Sequence, residues 1–227
     1  MSTYVISDIH SCFTKFVRNI PSDTKKLIIA GDQFNKGMEQ VEQWDWMWKN
    51  KDNPKYIYLR GNCEVRLTNE LIRHFKPNET NLYLKWLGTN TGYRNKNIAN
   101  IVIELINRGR YKLDEVLDVL LNKFKWYHIE DNWIIAHAAW DVNKSPSSQN
   151  SLVLAYDIDN LLGKLRKKDS SVNIPKMYDN YNFIFGHTPI YNMSNQNIPP
   201  VIYHNKFYYI DNGMFKRARK IFFMKIK

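Results

Sequence analysis

The chain predicts an α/β (α+β) fold of two packed mixed β-sheets flanked by helices, with a helical insertion. Three observations predict it. The first third alternates short apolar runs with amphipathic helical stretches, the pattern of parallel βαβ units. Residues 77–125 break that rhythm with three helix-spaced segments. The rest returns to short strands separated by polar turns. With 227 residues, the chain has the length of a single domain, 1–227, with space for an insertion.

Residues 3–8 read as a buried strand, and Ser11 to Ile20 as a short helix with Ser11 at its N-cap, closed by Pro21. Leu27 to Ala30 is a second buried strand. A loop bracketed by Gly31 and Gly37 leads to a Trp-rich amphipathic helix over 38–50. Tyr56 to Leu59 is a third strand, and 64–75 a third helix. In the 77–125 block, Tyr83 to Leu87, Ile98 to Ile106 and Leu113 to Phe124 have helical apolar spacing. The block reads as a helical cap, or more plainly as helices packed on the sheet edge. Trp126 to Ile129 and Trp133 to Ala136 form a hairpin, 141–150 a polar loop, and Leu152 to Lys167 a helix. Phe183 to Phe185 is a strand. Val201 to Tyr203 and Phe207 to Ile210 form a second hairpin, and Ala218 to Ile226 a last strand.

Five apolar runs end in residues that favour metals. They close on Asp8 and His10, on Gly31-Asp32, on Gly61-Asn62, on His137 and on His187. Strand alternation predicts Asp8 and His10 on one side of the chain. Singly, each is an ordinary turn or core polar residue; together they predict one two-metal centre. Asp32, between a strand and a Gly-containing loop, would bridge both ions. Asp8 and His10 would complete one site, and Asn62, His137 and His187 the other. Mixed oxygen and nitrogen ligands suit Mn, Fe or Zn better than Ca. Two such ions can clamp a phosphoryl group and generate a bridging hydroxide near neutral pH.

Composition narrows the partners. Net charge is +11, which favours anionic partners, with nucleotides and RNA among them; the plainer reading is a lysine-rich solvated surface. No apolar run reaches the roughly 18 residues of a membrane span, and the N-terminus lacks a signal-peptide pattern. Cys12 and Cys63 are the two cysteines and form no paired framework, so a reduced, cytoplasmic setting is expected. Among the tryptophans, Trp140, just after His137, is the candidate for lining a substrate pocket. The run from Phe215 to Lys220 reads as a basic turn or a phosphate contact.

The segments Ser-Asp8-Ile-His10, Gly31-Asp32-Gln-Phe-Asn-Lys-Gly37, Arg-Gly61-Asn62-Cys-Glu64, Ala-His137-Ala and Gly186-His187-Thr-Pro together resemble the calcineurin-like metallophosphoesterases. Within them the chain looks most like the small bacterial and phage Ser/Thr protein phosphatases of the bacteriophage lambda type and their diadenosine tetraphosphatase relatives. Ile210-Asp211-Asn212-Gly213 resembles their Ile-Asp-Thr-Gly strand. The resemblance implies the four-layer metallophosphoesterase sandwich and a dinuclear centre, often Mn-loaded, with Fe, Zn, Ni or Mg as alternatives. It implies the same ligand set: Asp8, His10 and Asp32 for one ion, and Asp32, Asn62, His137 and His187 for the other.

Three positions depart from the family pattern. Its Asp-Arg-Gly becomes Asn35-Lys36-Gly37, so a planar fork for phosphate is replaced by a point charge. Its Gly-Asn-His-Glu becomes Gly61-Asn62-Cys63-Glu64, so Cys63 stands where an imidazole normally assists the leaving oxygen. The position of the family's second phosphate-binding Arg falls at or near Asp157, with Arg166 as a substitute. The expectation is therefore an enzyme with Asp32 and Cys63 at the catalytic positions and Lys36, Asn62 and Trp140 toward substrate. It is expected to hydrolyse phosphodiesters or nucleotide phosphoanhydrides by a metal-bridged hydroxide. The alternatives are a Ser/Thr protein phosphatase-like monoesterase and a metal-containing binder without turnover.

Overall fold

A computed structural model describes residues 2–79, 97–149, 154, 174–190, 200–215 and 221–227. Strands β1 (Ser2–Ile6), β2 (Thr24–Ala30) and β3 (Tyr56–Leu59) pair in parallel, and β9 (Met224–Lys225) adds antiparallel to β1, giving the order β3-β2-β1-β9. The second sheet runs β4-β5-β6-β8-β7, from strands Tyr127–Glu130, Trp133–Ala136, Asn182–Phe185, Phe207–Tyr209 and Val201–Tyr203. Its centre, β5-β6-β8, is parallel, and its two edges are antiparallel hairpin partners.

The two-residue alternation of each strand builds three layers. Val5, Ile28, Ala30, Leu59, Ile135, Ile184 and Ile210 face inward between the sheets. Their neighbours Tyr4, Ile6, Leu27 and Ile29 face the helices on the first sheet. Ile134, Ala136, Phe183, Phe185, Phe207 and Tyr209 face outward from the second. A fully buried aliphatic side chain contributes about 1.5–3 kcal/mol. A one-residue slip would exchange whole layers, so the register is strongly specified.

The first outer layer holds α1 (Phe13–Arg18), α2 (Gln40–Asn50) and α3 (Asn62–Phe75). It also holds α4 (Asn97–Asn107) and α5 (Leu113–Asp118), which place Ile98, Val102, Val116 and Leu117 in the same cluster as Trp44 and Leu71. The described part of the 77–125 block thus packs into the common core.

Several expectations are corrected. β1 ends at Ile6, before Asp8. Ser11 does not cap α1: the helix starts at Phe13 without a side-chain cap, and Ser11 is buried at φ 56°, its N–H donated to Gln33 O at 2.8 Å. The segment Leu113 to Phe124 is helical over 113–123, but α5 ends at Asp118 and passes directly into a π turn over Val119–Lys123. Among the described residues of the last segment, the strand is Met224–Lys225, and Thr3 of β1 continues the pairing through its bonds to Ile226 and Lys227. The expected helix Tyr83 to Leu87, all but Leu154 of Leu152 to Lys167, Asp157 and Arg166, and residues 216–220 lie outside the described residues.

Candidate metal centre

Every candidate ligand follows the C-terminal end of a parallel strand: β1, β2, β3, β5 or β6. Side chains from sequence-distant loops meet there because parallel strands end on a common edge. The loops after β1 and β2 are laced together. Asp8 N–H donates to Gly31 O (3.1 Å) and His10 N–H to Asp32 O (3.0 Å). Asp8, His10, Asp32 and His187 all have left-handed backbone, with φ of 54°, 48°, 50° and 65°. Each such non-glycine residue costs about 1–3 kcal/mol, so the surrounding bonds must hold them there. This also revises the simple strand picture: Asp8 and His10 converge through tight turns beyond β1.

Glycines make room for the cluster. Gly31, at φ +80°, passes so close to His137 that a Cβ would fall 2.5 Å from its Nδ1. A Cβ on Gly186 would meet Asp8 Oδ2 at 2.3 Å.

The imidazoles are oriented from behind. His10 Nδ1 lies 3.2 Å from Phe34 O, and His137 Nδ1 lies 2.8 Å from Ala30 O. A carbonyl accepts only from N–H, so both rings carry the proton on Nδ1 and turn the Nε2 lone pair to the site. His10 Nε2 is then 3.6 Å from Asp8 Oδ1 and 3.8 Å from Asp32 Oδ2. His137 Nε2 is 3.4 Å from Asp32 Oδ1, 3.2 Å from Asn62 Oδ1 and 3.0 Å from His187 Nδ1. Asp32 therefore stands between the two histidine groups, one oxygen toward each. Asp8 Oδ2 accepts the His187 N–H at 2.7 Å, which ties the two ends of the site together.

Burial sets the charges. It lowers His10 to about 4 and His187 to about 3, so both imidazoles are neutral and can donate a lone pair. Burial alone would raise Asp32, but His137, His10, His187 and Lys36 outweigh it and hold the carboxyl below its usual range. Asp8 is pushed well up, first by burial and then by the nearby Asp32. Its Oδ1 is buried without a hydrogen-bond partner. Neutral imidazoles, an ionised carboxylate and an unsatisfied carboxylate oxygen fit a divalent cation. Two groups of potential ligand atoms lie within 4.8 Å of one another: His10, Asp32 and Cys63, and Asp32, His137 and His187.

The structure brings Cys63 and Lys36 to the same place. The Cys63 N–H donates to Asp32 Oδ1 (2.8 Å), and its thiol, buried, is pushed well above its usual range by desolvation and then by Asp32 and Glu64. Lys36 reaches in from an exposed position, with Nζ 2.8 Å from His10 Nε2 and 4.7 Å from the centre of the Phe215 ring. Trp140 is placed elsewhere: it is 1% exposed, in the outer core of the second sheet, edge-on to Tyr127 and Tyr178. A buried ring there packs; it offers no face to a base.

Two residues of the Arg-Gly61-Asn62-Cys63-Glu64 motif support the site, in roles the sequence does not assign them. Glu64 accepts N–H bonds from Gly61 (2.8 Å), Asp32 (2.9 Å) and Gln33 (2.8 Å), clamping the loops after β2 and β3. A Glu at the third position of a helix is a readable cue, but its long-range partners are not. Arg60, 1% exposed, donates from Nη2 to the carbonyls of Leu120 (2.6 Å), Leu121 (2.9 Å) and Phe124 (3.0 Å). It holds the end of the π turn against the strand that delivers Asn62.

Two mixed sheets with histidines, carboxylates and an amide converging at their strand ends define a metal-dependent phosphoesterase. The chain belongs to the calcineurin-like phosphoesterase family, whose model matches residues 1–210. It is a hydrolase of phosphate esters, and the family uses a pair of divalent metals. Solved structures share the fold. A single-substitution variant of a cold-active protein tyrosine phosphatase is 14% identical with a TM-score of 0.59, covering 100% of this chain and 75% of that one. A putative diadenosine tetraphosphatase is 14% identical with a TM-score of 0.52, covering 93% and 83%. A Saccharomyces cerevisiae serine/threonine phosphatase is 11% identical with a TM-score of 0.51, covering 93% and 67%. No curated protein sequence matches this chain. Among the described residues, no helix is long and apolar enough to cross a membrane.

Proposed function

We infer that the chain hydrolyses phosphodiesters or nucleotide phosphoanhydrides in preference to phosphomonoesters. Asp8, His10 and Asp32 would hold one divalent ion, and Asp32, Asn62, His137 and His187 the other. When bound, such ions supply Lewis acidity toward the phosphoryl group and lower the pKa of water.

The chain's own residues do the rest. Asp32, gripped by the Cys63 N–H, is fixed between the two histidine groups. The Phe34 and Ala30 carbonyls keep protons off the two ring nitrogens that face the site. Lys36 approaches a substrate phosphate as a single mobile charge, its ammonium resting over Phe215. Asn62, with Oδ1 toward His137, leaves its amide N–H toward Cys63.

The observation that carries the preference is the wall beside Asp32, where a buried thiol replaces an imidazole. A dianionic monoester needs a bidentate cation and an acid for its leaving oxygen. This wall offers neither, while a diester carries less charge. Nucleotide or RNA substrates accord with the net charge of +11, and Mn is the expected metal.

The test is turnover of paired chromogenic mono- and diesters with Mn2+, with Asp32→Asn and His187→Ala as controls. Diester turnover lost in both variants is expected. Dominant monoester turnover would overturn the preference in favour of a protein-phosphatase-like enzyme. No turnover of either ester would point to a binder.

A further inference from the structure

Cys63 and Cys12 sit in different surroundings. The Cys12 sulfur faces two acceptors, the carbonyls of His10 (3.8 Å) and Met214 (3.7 Å), as a thiol donor does. The Cys63 sulfur has neighbours of both kinds: it receives amide N–H groups from Asn62 Nδ2 at 3.8 Å and from the Asn35 side chain, and it faces the Asp32 carboxylate as an acceptor. Donors aimed at sulfur orient and stabilise a thiolate. The Asp32 carboxylate also adjoins this sulfur.

A cation position is present. Ligand atoms of His10, Asp32 and Cys63 lie within 4.8 Å of one another, all buried. Asp8 supplies a fourth: Oδ1 is buried, has no hydrogen-bond partner and lies 3.6 Å from His10 Nε2. The other group, Asp32, His137 and His187, contains no sulfur.

We propose that Cys63 is a metal ligand, completing with Asp8, His10 and Asp32 a site for a thiophilic, zinc-class divalent cation. The inference rests on the two-metal reading of the centre. On ligation, the Cys63 thiol releases one proton to solvent and its sulfur lone pair goes to the ion. The two positions then differ in kind. Thiolate selects softer ions, whereas the imidazole, amide and carboxylate position also accepts Mn. The same contact accounts for a small thiol where an imidazole would fill the wall.

The test is absorption spectroscopy of the full chain loaded with two equivalents of Co2+. Visible ligand-field bands report bound metal, and a near-ultraviolet sulfur-to-cobalt charge-transfer band reports thiolate ligation. The band is expected in wild type and in Cys12→Ser, and absent in Cys63→Ser, which keeps visible bands. In Cys63→Ser, Cd2+ affinity should also fall by about tenfold or more, since even groups that only support a ligand are worth about 10–100-fold, while Mn2+ affinity changes less. Two bound Co2+ without the near-ultraviolet band, or a band that survives in Cys63→Ser, overturns the proposal and leaves the metal centre standing. Absence of any Co2+ uptake overturns both. Because the chain has two cysteines, retention of the band in Cys12→Ser assigns it to Cys63 even if Cys63→Ser fails to fold.

Discussion

One methyl group at Gly186 should disable the first metal position. A Cβ there would lie 2.3 Å from Asp8 Oδ2 and 2.5 Å from Ser7 Cβ, well under the 3.0 Å that real contacts keep. Gly186 is also tied in place, its N–H donated to His137 O at 2.8 Å. The carboxylate must therefore move, and it then loses the His187 N–H bond of 2.7 Å. Overpacking costs about 1–3 kcal/mol, and a hydrogen bond to a charged group is worth about 1.5–3 kcal/mol. Gly186→Ala should lose about 3–5 kcal/mol, a Tm fall of roughly 6–20 °C at about 2–4 °C per kcal/mol. Affinity for one of the two ions should fall about 10–100-fold, as for other losses of ligand support. The assay is calorimetric titration with Mn2+, paired with thermal melts in chelator and in metal. Gly109→Ala is the control: nothing lies within 4 Å of its Cβ, though φ is +71°. It should cost about 1–2 kcal/mol of backbone strain and leave metal affinity alone. If Gly186→Ala binds both ions as wild type does, the reasoning that Asp8 is a ligand held by this contact fails.

Three further outcomes are expected. Arg60→Ala strands three carbonyls at the end of the π turn, and should cost about 3–5 kcal/mol, at about 1–3 kcal/mol for each buried group left unpaired; urea unfolding would measure it. Lys36→Arg with Cys63→His should raise monoesterase activity on a chromogenic monoester; no gain in a metal-loaded variant would show that these positions do not set the preference. In chelator, His10 and His187 are held below their ordinary 6.5, to about 4 and about 3, by burial. The unfolded chain then binds more protons, so these groups withdraw stability as pH falls from about 6.5 to about 4. Urea midpoints of His187→Gln across that range should fall less steeply than those of wild type.

Much of the architecture is legible in local pattern. Strands such as Leu27 to Ala30 and Phe183 to Phe185 announce themselves because alternate residues must fill different layers. The candidate ligands are legible for a related reason: Asp32, Asn62, His137 and His187 each interrupt an apolar run where a core residue would otherwise continue. Parallel strands then carry them to one edge without further instruction. Other features depend on where distant segments meet. Trp140 reads as a pocket residue beside His137, yet the pairing of β5 with β6 buries it against Phe183 and Tyr178. Glu64 and Arg60 look like ordinary helix-start and strand-end charges. Of their three N–H donors and three carbonyl acceptors, five come from 31 to 64 residues away. The left-handed turns at Asp8 and His10 carry no glycine to mark them, and only Gly31 marks the one at Asp32; they are held by the lacing of two loops. Residue type and spacing are local properties of the chain, so they name the candidate ligands. Which oxygen of Asp32 faces which histidine, and whether the sulfur of Cys63 faces donors or acceptors, is settled by packing between segments that no local pattern records.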